Sequence, residues 1–198
     1  MSSPKIEQTE FQCVGVVLAG GQALRMEGKN KALQEYKGRH LYAYVLDAMS
    51  AVLGSISINV NNNQAEFLEN DLCIFSDAPS YLKCGPLSGI MTALNKYQAT
   101  HSHILFSPCD TPLVPSDVFG VLVERARQNP ESVFFMKTES GVQPLHAIIP
   151  VTLVNHLSDF LQQRQYKVMA FYRMIAAEEI HWDDESVFKN INYLEELS

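Results

Sequence analysis

The segment Cys13-Val-Gly-Val-Val-Leu-Ala19 is an almost unbroken apolar run that stops at Gly20-Gly21. A strand with one wet face alternates apolar and polar residues. A strand without alternation needs apolar cover on both faces, which is the situation of a central parallel strand between two helical layers. The rest of the chain agrees with that frame. Ser55-Ile-Ser-Ile-Asn-Val60, Leu72-Cys-Ile-Phe75 and His103-Ile-Leu-Phe106 read as further strands, as do Ser132-Val-Phe-Phe-Met136 and Leu145-His-Ala-Ile-Ile149. Between them, helical spacing predicts helices over roughly His40 to Leu53, from Gly85-Pro86 through Leu94, and from a Ser116-Asp117 cap through Ala126. Two more are expected over Val151 to Leu161 and Tyr166 to Ile175. Strands alternating with helices imply parallel pairing and an α/β class, a three-layer α/β/α sandwich with a mostly parallel, Rossmann-like sheet.

At 198 residues the chain suffices for one domain with its own core, expected over 1–198 with 1–12 as a flexible N-terminal extension. Fifteen basic against 22 acidic side chains leave a net charge of −7. That balance excludes the broad basic surface needed for non-specific nucleic-acid or membrane-surface binding, so any polyanion must be held by a few local cations. The polar start has no secretory signal, and no apolar run approaches the ~20 residues of a membrane span. The four cysteines, Cys13, Cys73, Cys84 and Cys109, form no zinc-type spacing, so a reduced cytoplasmic protein with mostly buried thiols is expected.

Open α/β sheets bind ligands beyond the carboxyl ends of their strands, which directs attention to the residues after each run. The first strand leads into Gly20-Gly21, then Arg25 and Lys31. Paired glycines bring backbone N–H groups close to anionic oxygens, and an arginine fork and a lysine point charge suit a phosphate chain. The segment is neither GxGxxG nor a P-loop. The fourth strand runs into Pro108-Cys-Asp110-Thr-Pro112, where a lone carboxylate suits Mg2+ bound jointly with phosphate, or else caps the turn. Asn59-Val-Asn61 and Asp77 follow the second and third strands and offer directional hydrogen bonds to a base or ribose.

Taken in order, Leu18-Ala-Gly-Gly, Arg25-Met26, Gly28, Lys31, Asn59-x-Asn61 and Asp77 before Gly85-Pro-Leu-x-Gly89 resemble the molybdenum cofactor guanylyltransferases of MobA type. Pro108-Cys-Asp110-Thr-Pro112, Gln143-Pro-Leu-His146 and Asn190-x-Asn192 extend the resemblance over nearly the whole chain. The resemblance implies a nucleotidyltransferase of the nucleotide-diphospho-sugar transferase type. Its substrates would be GTP and molybdopterin, its metal Mg2+, and its products the guanine dinucleotide cofactor and pyrophosphate. By position, Leu18, Ala19, Gly20 and Gly21 would cradle the nucleotide, with Arg25 and Lys31 on phosphate. Asn59 and Asp77 would contact the guanosine, Asp110 would hold the metal, and Asn190 and Asn192 would lie toward the pterin. Apo-molybdoenzymes or their chaperones would receive the product.

Two positions depart from the family pattern: Glu27 stands where a glycine is usual and Asn30 where an aspartate is usual. Two alternatives therefore stay open. One is a related transferase using CTP or another phosphorylated acceptor. The other is a catalytically impaired nucleotide-binding protein that delivers the cofactor. His146 reads as a core or rim histidine, with a place at the second substrate site as the alternative.

Overall fold

A computed structural model describes residues 11–20, 31–62, 64–70 and 72–191. Gly21, Arg25, Glu27, Asn30 and Asn192 lie outside the described residues. Of the expected N-terminal extension, Phe11 and Gln12 are described and are tied down. Phe11 stacks on His103, and the Gln12 carbonyl accepts from the backbone of Ser102 and His103.

The apolar run forms β1 (Cys13–Leu18), with Val14, Val16 and Val17 fully buried. It lies between β4 (Ile56–Asn59) and β6 (His103–Pro108), parallel to both, and β5 (Cys73–Phe75) adds to β4 in parallel. The sheet is completed by β7 (Phe134–Lys137), β8 (Val142–Pro150) and β9 (Glu178–His181), in the order β5-β4-β1-β6-β8-β7-β9. Side chains from alternate strand positions feed two cores. On one face, Val14, Val16, Ile104 and Phe106 pack against α2 (Pro86–Tyr97), α4 (Val154–Gln162) and α5 (Val168–Met174). On the other, Val17, Ile58, Leu105 and Ile148 pack against α1 (Leu41–Ser50) and α3 (Ser116–Gln128). This is the expected three-layer sandwich.

Several local expectations are corrected. β8 runs antiparallel to both β6 and β7. Its connection from β7 is a tight turn closed by hydrogen bonds between Thr138 and Gly141, and only an antiparallel pair can be joined so briefly. α3 starts at Ser116 itself, after Pro115, with no side-chain cap; Asp117 instead sits in the first turn, where its charge favours the helix dipole. The segment from Val151 begins as a 3-10 turn before α4. β9 and the small hairpin of β2 (Glu35–Tyr36) and β3 (Arg39–His40) are short and mostly polar, and no apolar run marks them in the sequence. That hairpin turns through Lys37 and Gly38, both at positive φ, as a two-residue I′-type connection requires. Of the four thiols only Cys84 and Cys109 are buried; Cys13 is half-buried and Cys73 exposed.

Candidate functional site

The register of the parallel strands builds the site. Leu18 at the end of β1 pairs with Asn59 on one side and Pro108 on the other, and Asn59 pairs with Phe75. Four strand ends therefore stop in one row, and the residues just beyond them converge. From β1 the chain goes first to β4 on one side and later returns to β6 on the other. The crevice above β1 is thus a topological switch point, the usual place for a ligand in such a sheet.

One side of that crevice is a network of amides and a carboxylate. Asn59 Nδ2 donates to Asp77 Oδ1 at 2.9 Å and Asn61 Nδ2 donates to Asp77 Oδ2 at 2.8 Å. The backbone N–H of Asp77 returns a bond to Asn61 Oδ1 at 2.8 Å. Asn61 Nδ2 also donates to the Gly20 carbonyl at 2.9 Å, and the Ala19 N–H donates to the Asn59 carbonyl at 2.8 Å. Asn59 is almost fully buried, with two glycines against its side-chain oxygen. A Cβ on Gly89 would lie 2.5 Å from Asn59 Oδ1, and one on Gly20 would lie 2.9 Å from it. Gly89 sits in the first part of α2, which opens after Gly85 at φ +63 and Pro86. The glycines of Gly85-Pro-Leu-x-Gly89 thus have separate jobs, one a left-handed turn and one a close approach to Asn59.

On the other side, Lys31 and Asp110 form an ion pair, Nζ to Oδ2, of 2.6 Å, with side chains 22% and 18% exposed. Lys31 opens a short 3-10 turn (Lys31–Leu33), and Asp110 follows β6. Asn190 Oδ1 accepts a second bond from Lys31 Nζ at 2.8 Å, while the Ile191 N–H donates to the Asp110 carbonyl at 2.9 Å. The C-terminal segment is thereby clipped onto both members of the pair. The resemblance sets Asn190 toward the pterin; in the structure its side chain rests on the lysine.

The neighbouring titratable groups are chemically quiet. Cys109 is buried, and burial first and the Asp110 carboxylate second push its thiol up to about 12, so it stays protonated. Burial lowers the His146 imidazole to about 3, so it is neutral at ordinary pH. His146 Nε2 lies 3.0 Å from Thr111 Oγ1, and its ring meets Phe188 edge to face. This is the core placement expected for it, beneath the turn that carries Asp110.

Among the described residues no group of three or more His, Cys, Asp or Glu is arranged to hold a metal ion. Among the described residues, the carboxylate on the phosphate side of the crevice is Asp110, just after β6, while that of Asp77 is engaged by Asn59 and Asn61. That donor set fits Mg2+, which takes one or two carboxylates and completes its shell with water and substrate phosphate. It does not fit zinc or another ion that needs a full protein cage.

The profile of the MobA-like NTP transferase domain matches residues 15–179, from within β1 to the start of β9. The chain belongs to the MobA-like NTP transferase family. A molybdenum cofactor guanylyltransferase from Pasteurella multocida is 31% identical over 183 residues, covering 92% of this chain and 95% of the relative. One of the same name from Ralstonia nicotianae is 33% identical over 193 residues, covering 92% and 93%. Among solved structures, the molybdopterin-guanine dinucleotide biosynthesis protein A from Archaeoglobus fulgidus superposes with a TM-score of 0.72 at 21% identity, covering 94% and 95%. The shared fold and the family agree with the sandwich built above.

Of the residues singled out in the sequence, Leu18, Ala19, Gly20, Lys31, Asn59, Asp77, Asp110 and Asn190 meet around the switch-point crevice of this MobA-like fold. Asn61, singled out with Asn59 as a strand-end amide but given no role of its own by the resemblance, belongs to the Asp77 network. For Asn61 the signal was present: it lies two residues after Asn59, so strand alternation sends both side chains to the same face.

Proposed function

We infer that the chain is a molybdenum cofactor guanylyltransferase, moving GMP from GTP to the terminal phosphate of molybdopterin with release of pyrophosphate. The observation that carries this reading is the row of strand ends. It sets a hydrogen-bonding clamp, Asn59 with Asp77, and a charged pair, Lys31 with Asp110, on opposite sides of Leu18-Ala-Gly20. A nucleotide has that polarity, with directional donors and acceptors at one end and negative charge at the other. Family membership and the names of the relatives support the choice of guanine and molybdopterin.

In the reaction, an oxygen of the acceptor phosphate forms a bond to the α-phosphorus of GTP. The bond to the β-phosphate oxygen breaks and pyrophosphate leaves. No protein nucleophile is required, which accords with a buried Cys109 thiol and a neutral His146. The chain's task is alignment and charge neutralisation. Leu18, Ala19, Gly20 and Gly21 cradle the nucleotide, Asn59 and Asp77 hold the guanosine, and Lys31 with Arg25 neutralises phosphate. Asp110 holds Mg2+, which when bound offsets the charge of the phosphate oxygens. The family pattern assigns Asn190 and Asn192 to the pterin side, and apo-molybdoenzymes or their chaperones would take the product.

Calorimetric titration with GTP, CTP and ATP in Mg2+ tests the reading. Selective binding of GTP is the expected result. Selectivity for CTP would move the reaction to cytidylyl transfer. GTP binding without pyrophosphate release, once molybdopterin is supplied, would replace the enzyme by a nucleotide-binding delivery protein.

A further inference from the structure

We propose that Asn61 is a positioning residue for nucleotide binding, holding Asp77 and the Gly20 backbone as one rigid unit. The proposal rests on the reading that Asp77 contacts the nucleotide, and it assigns Asn61 no contact with ligand. Both N–H donors and the oxygen of its side-chain amide are engaged. The nitrogen donates both to Asp77 Oδ2 at 2.8 Å and to the Gly20 carbonyl at 2.9 Å. The oxygen accepts from the Asp77 backbone N–H at 2.8 Å. Asp77 is therefore gripped at main chain and side chain by the same amide, while Asn59 holds its other carboxylate oxygen.

No other side chain fills this role. Aspartate has no donor and would set a second carboxylate against that of Asp77. Serine is too short to bridge two strand ends, and glutamine adds a methylene to a fixed gap. The contact with Gly20 has two consequences. It ties the carbonyl to the protein and so keeps an oxygen lone pair away from an anionic ligand. It also explains why Gly20 has no side chain, since a Cβ there would lie 2.8 Å from Asn61 Nδ2. A carboxylate fixed by an amide on each oxygen keeps its remaining lone pairs in one direction, so binding does not have to order them.

The test is a double-mutant cycle of Asn61→Ala and Asp77→Ala, read by GTP calorimetry in Mg2+ and by steady-state pyrophosphate release. Asn61→Ser serves as the second variant, since it removes the same donors with a smaller change in shape. Asn61→Ala is expected to weaken GTP binding about tenfold, the scale of one lost charge-assisted hydrogen bond. Turnover at saturating GTP should stay within about threefold, because no transition-state contact is removed. In the Asp77→Ala background the same substitution should have a clearly smaller effect, since only the Gly20 contact remains to be lost. Unchanged affinity in Asn61→Ala and Asn61→Ser would overturn the proposal. So would an undiminished loss in the Asp77→Ala background, or a fall in turnover without a change in affinity. Full GTP affinity in Asp77→Ala alone would refute the underlying assignment of Asp77, and the proposal with it.

Discussion

Gly89→Ala sets two effects of known sign against each other. Within a helix, alanine in place of glycine gains about 1 kcal/mol. At Gly89, however, the added Cβ would lie 2.5 Å from Asn59 Oδ1 and 3.0 Å from Leu18 Cδ2. Asn59 cannot move outward, because it is 2% exposed and its oxygen already lies close to Gly20 on another side. If Asn59 stays, the overpacking costs about 1–3 kcal/mol. If it turns away, the hydrogen bond to the Asp77 carboxylate is lost, at about 1.5–3 kcal/mol. Against the helix gain, either route leaves the variant destabilised by about 0–2 kcal/mol, and at about 1 kcal/mol its melting point falls by roughly 2–4 °C. GTP affinity should fall with it, since Asn59 and Asp77 share the disturbance. The control is Gly120→Ala in α3, where an added Cβ meets nothing within 4 Å. That variant should be more stable by up to about 1 kcal/mol and bind GTP normally. Thermal melting and GTP calorimetry on both variants decide the matter. If Gly89→Ala is stabilised like Gly120→Ala and binds GTP as the parent does, the claim that Asn59 is pinned between Gly20 and Gly89 is wrong.

Three further outcomes are expected. Asp110→Ala should abolish Mg-dependent turnover while the far-ultraviolet spectrum stays native; retained activity would remove Asp110 from the metal assignment. Lys31→Ala should weaken GTP binding and slow turnover, with a loss on the order of 1.5–3 kcal/mol for a charge-assisted contact to phosphate, and a titration showing an unchanged constant would count against it. His146 concerns stability and pH. Its folded value of about 3 lies below the ordinary 6.5, so between those pH values the unfolded chain binds a proton that the folded chain refuses. Stability contributed by this residue is therefore present above pH 6.5 and is lost as pH falls, by about 2 kcal/mol at pH 5. Urea unfolding of the parent and of His146→Gln across that range should show the steeper decline in the parent; equal slopes would mean that His146 is not held neutral.

What could be read in the sequence was set by how local its physical cause is. β1 was legible because a strand covered on both faces must be apolar at consecutive positions, and Val14, Val16 and Val17 are. α2 was legible from Gly85-Pro86, where a left-handed glycine and a proline at the first turn mark a helix start whatever lies around it. Strand direction is not local in that sense. The apolar run from Leu145 to Ile149 is compatible with either direction, and β8 is antiparallel because Thr138 to Gly141 leave no length for a crossover. The site divides in the same way. Asn59, Asp77 and Asp110 were found because each follows a strand that announces itself. The contact of Asn190 with Lys31 joins residues 159 positions apart, and that of Lys31 with Asp110 joins residues 79 apart. No spacing rule reaches that far, so only the folded chain reveals that the C-terminal segment closes one side of the crevice.

The charge of the chain gives these contacts their meaning. A protein at −7 repels a nucleoside triphosphate at long range, so attraction must be created locally. Burying a free lysine at the crevice would be costly, and exposing it would surrender much of its field to water. The structure resolves this by holding Lys31, only 22% exposed, against the Asp110 carboxylate and the Asn190 amide oxygen among its partners. Asp110 thus keeps the cation in place and partly shielded from water before any ligand arrives. The same carboxylate is an oxygen donor suited to Mg2+, so a ligand that brings both phosphate and metal supplies new partners to both members of the pair. A ligand that brings phosphate alone would leave Asp110 facing a polyanion with its lysine drawn away. On the proposed reading, GTP should therefore bind more tightly with Mg2+ than without it, and equal affinity in calorimetry with and without Mg2+ would count against this role of the pair.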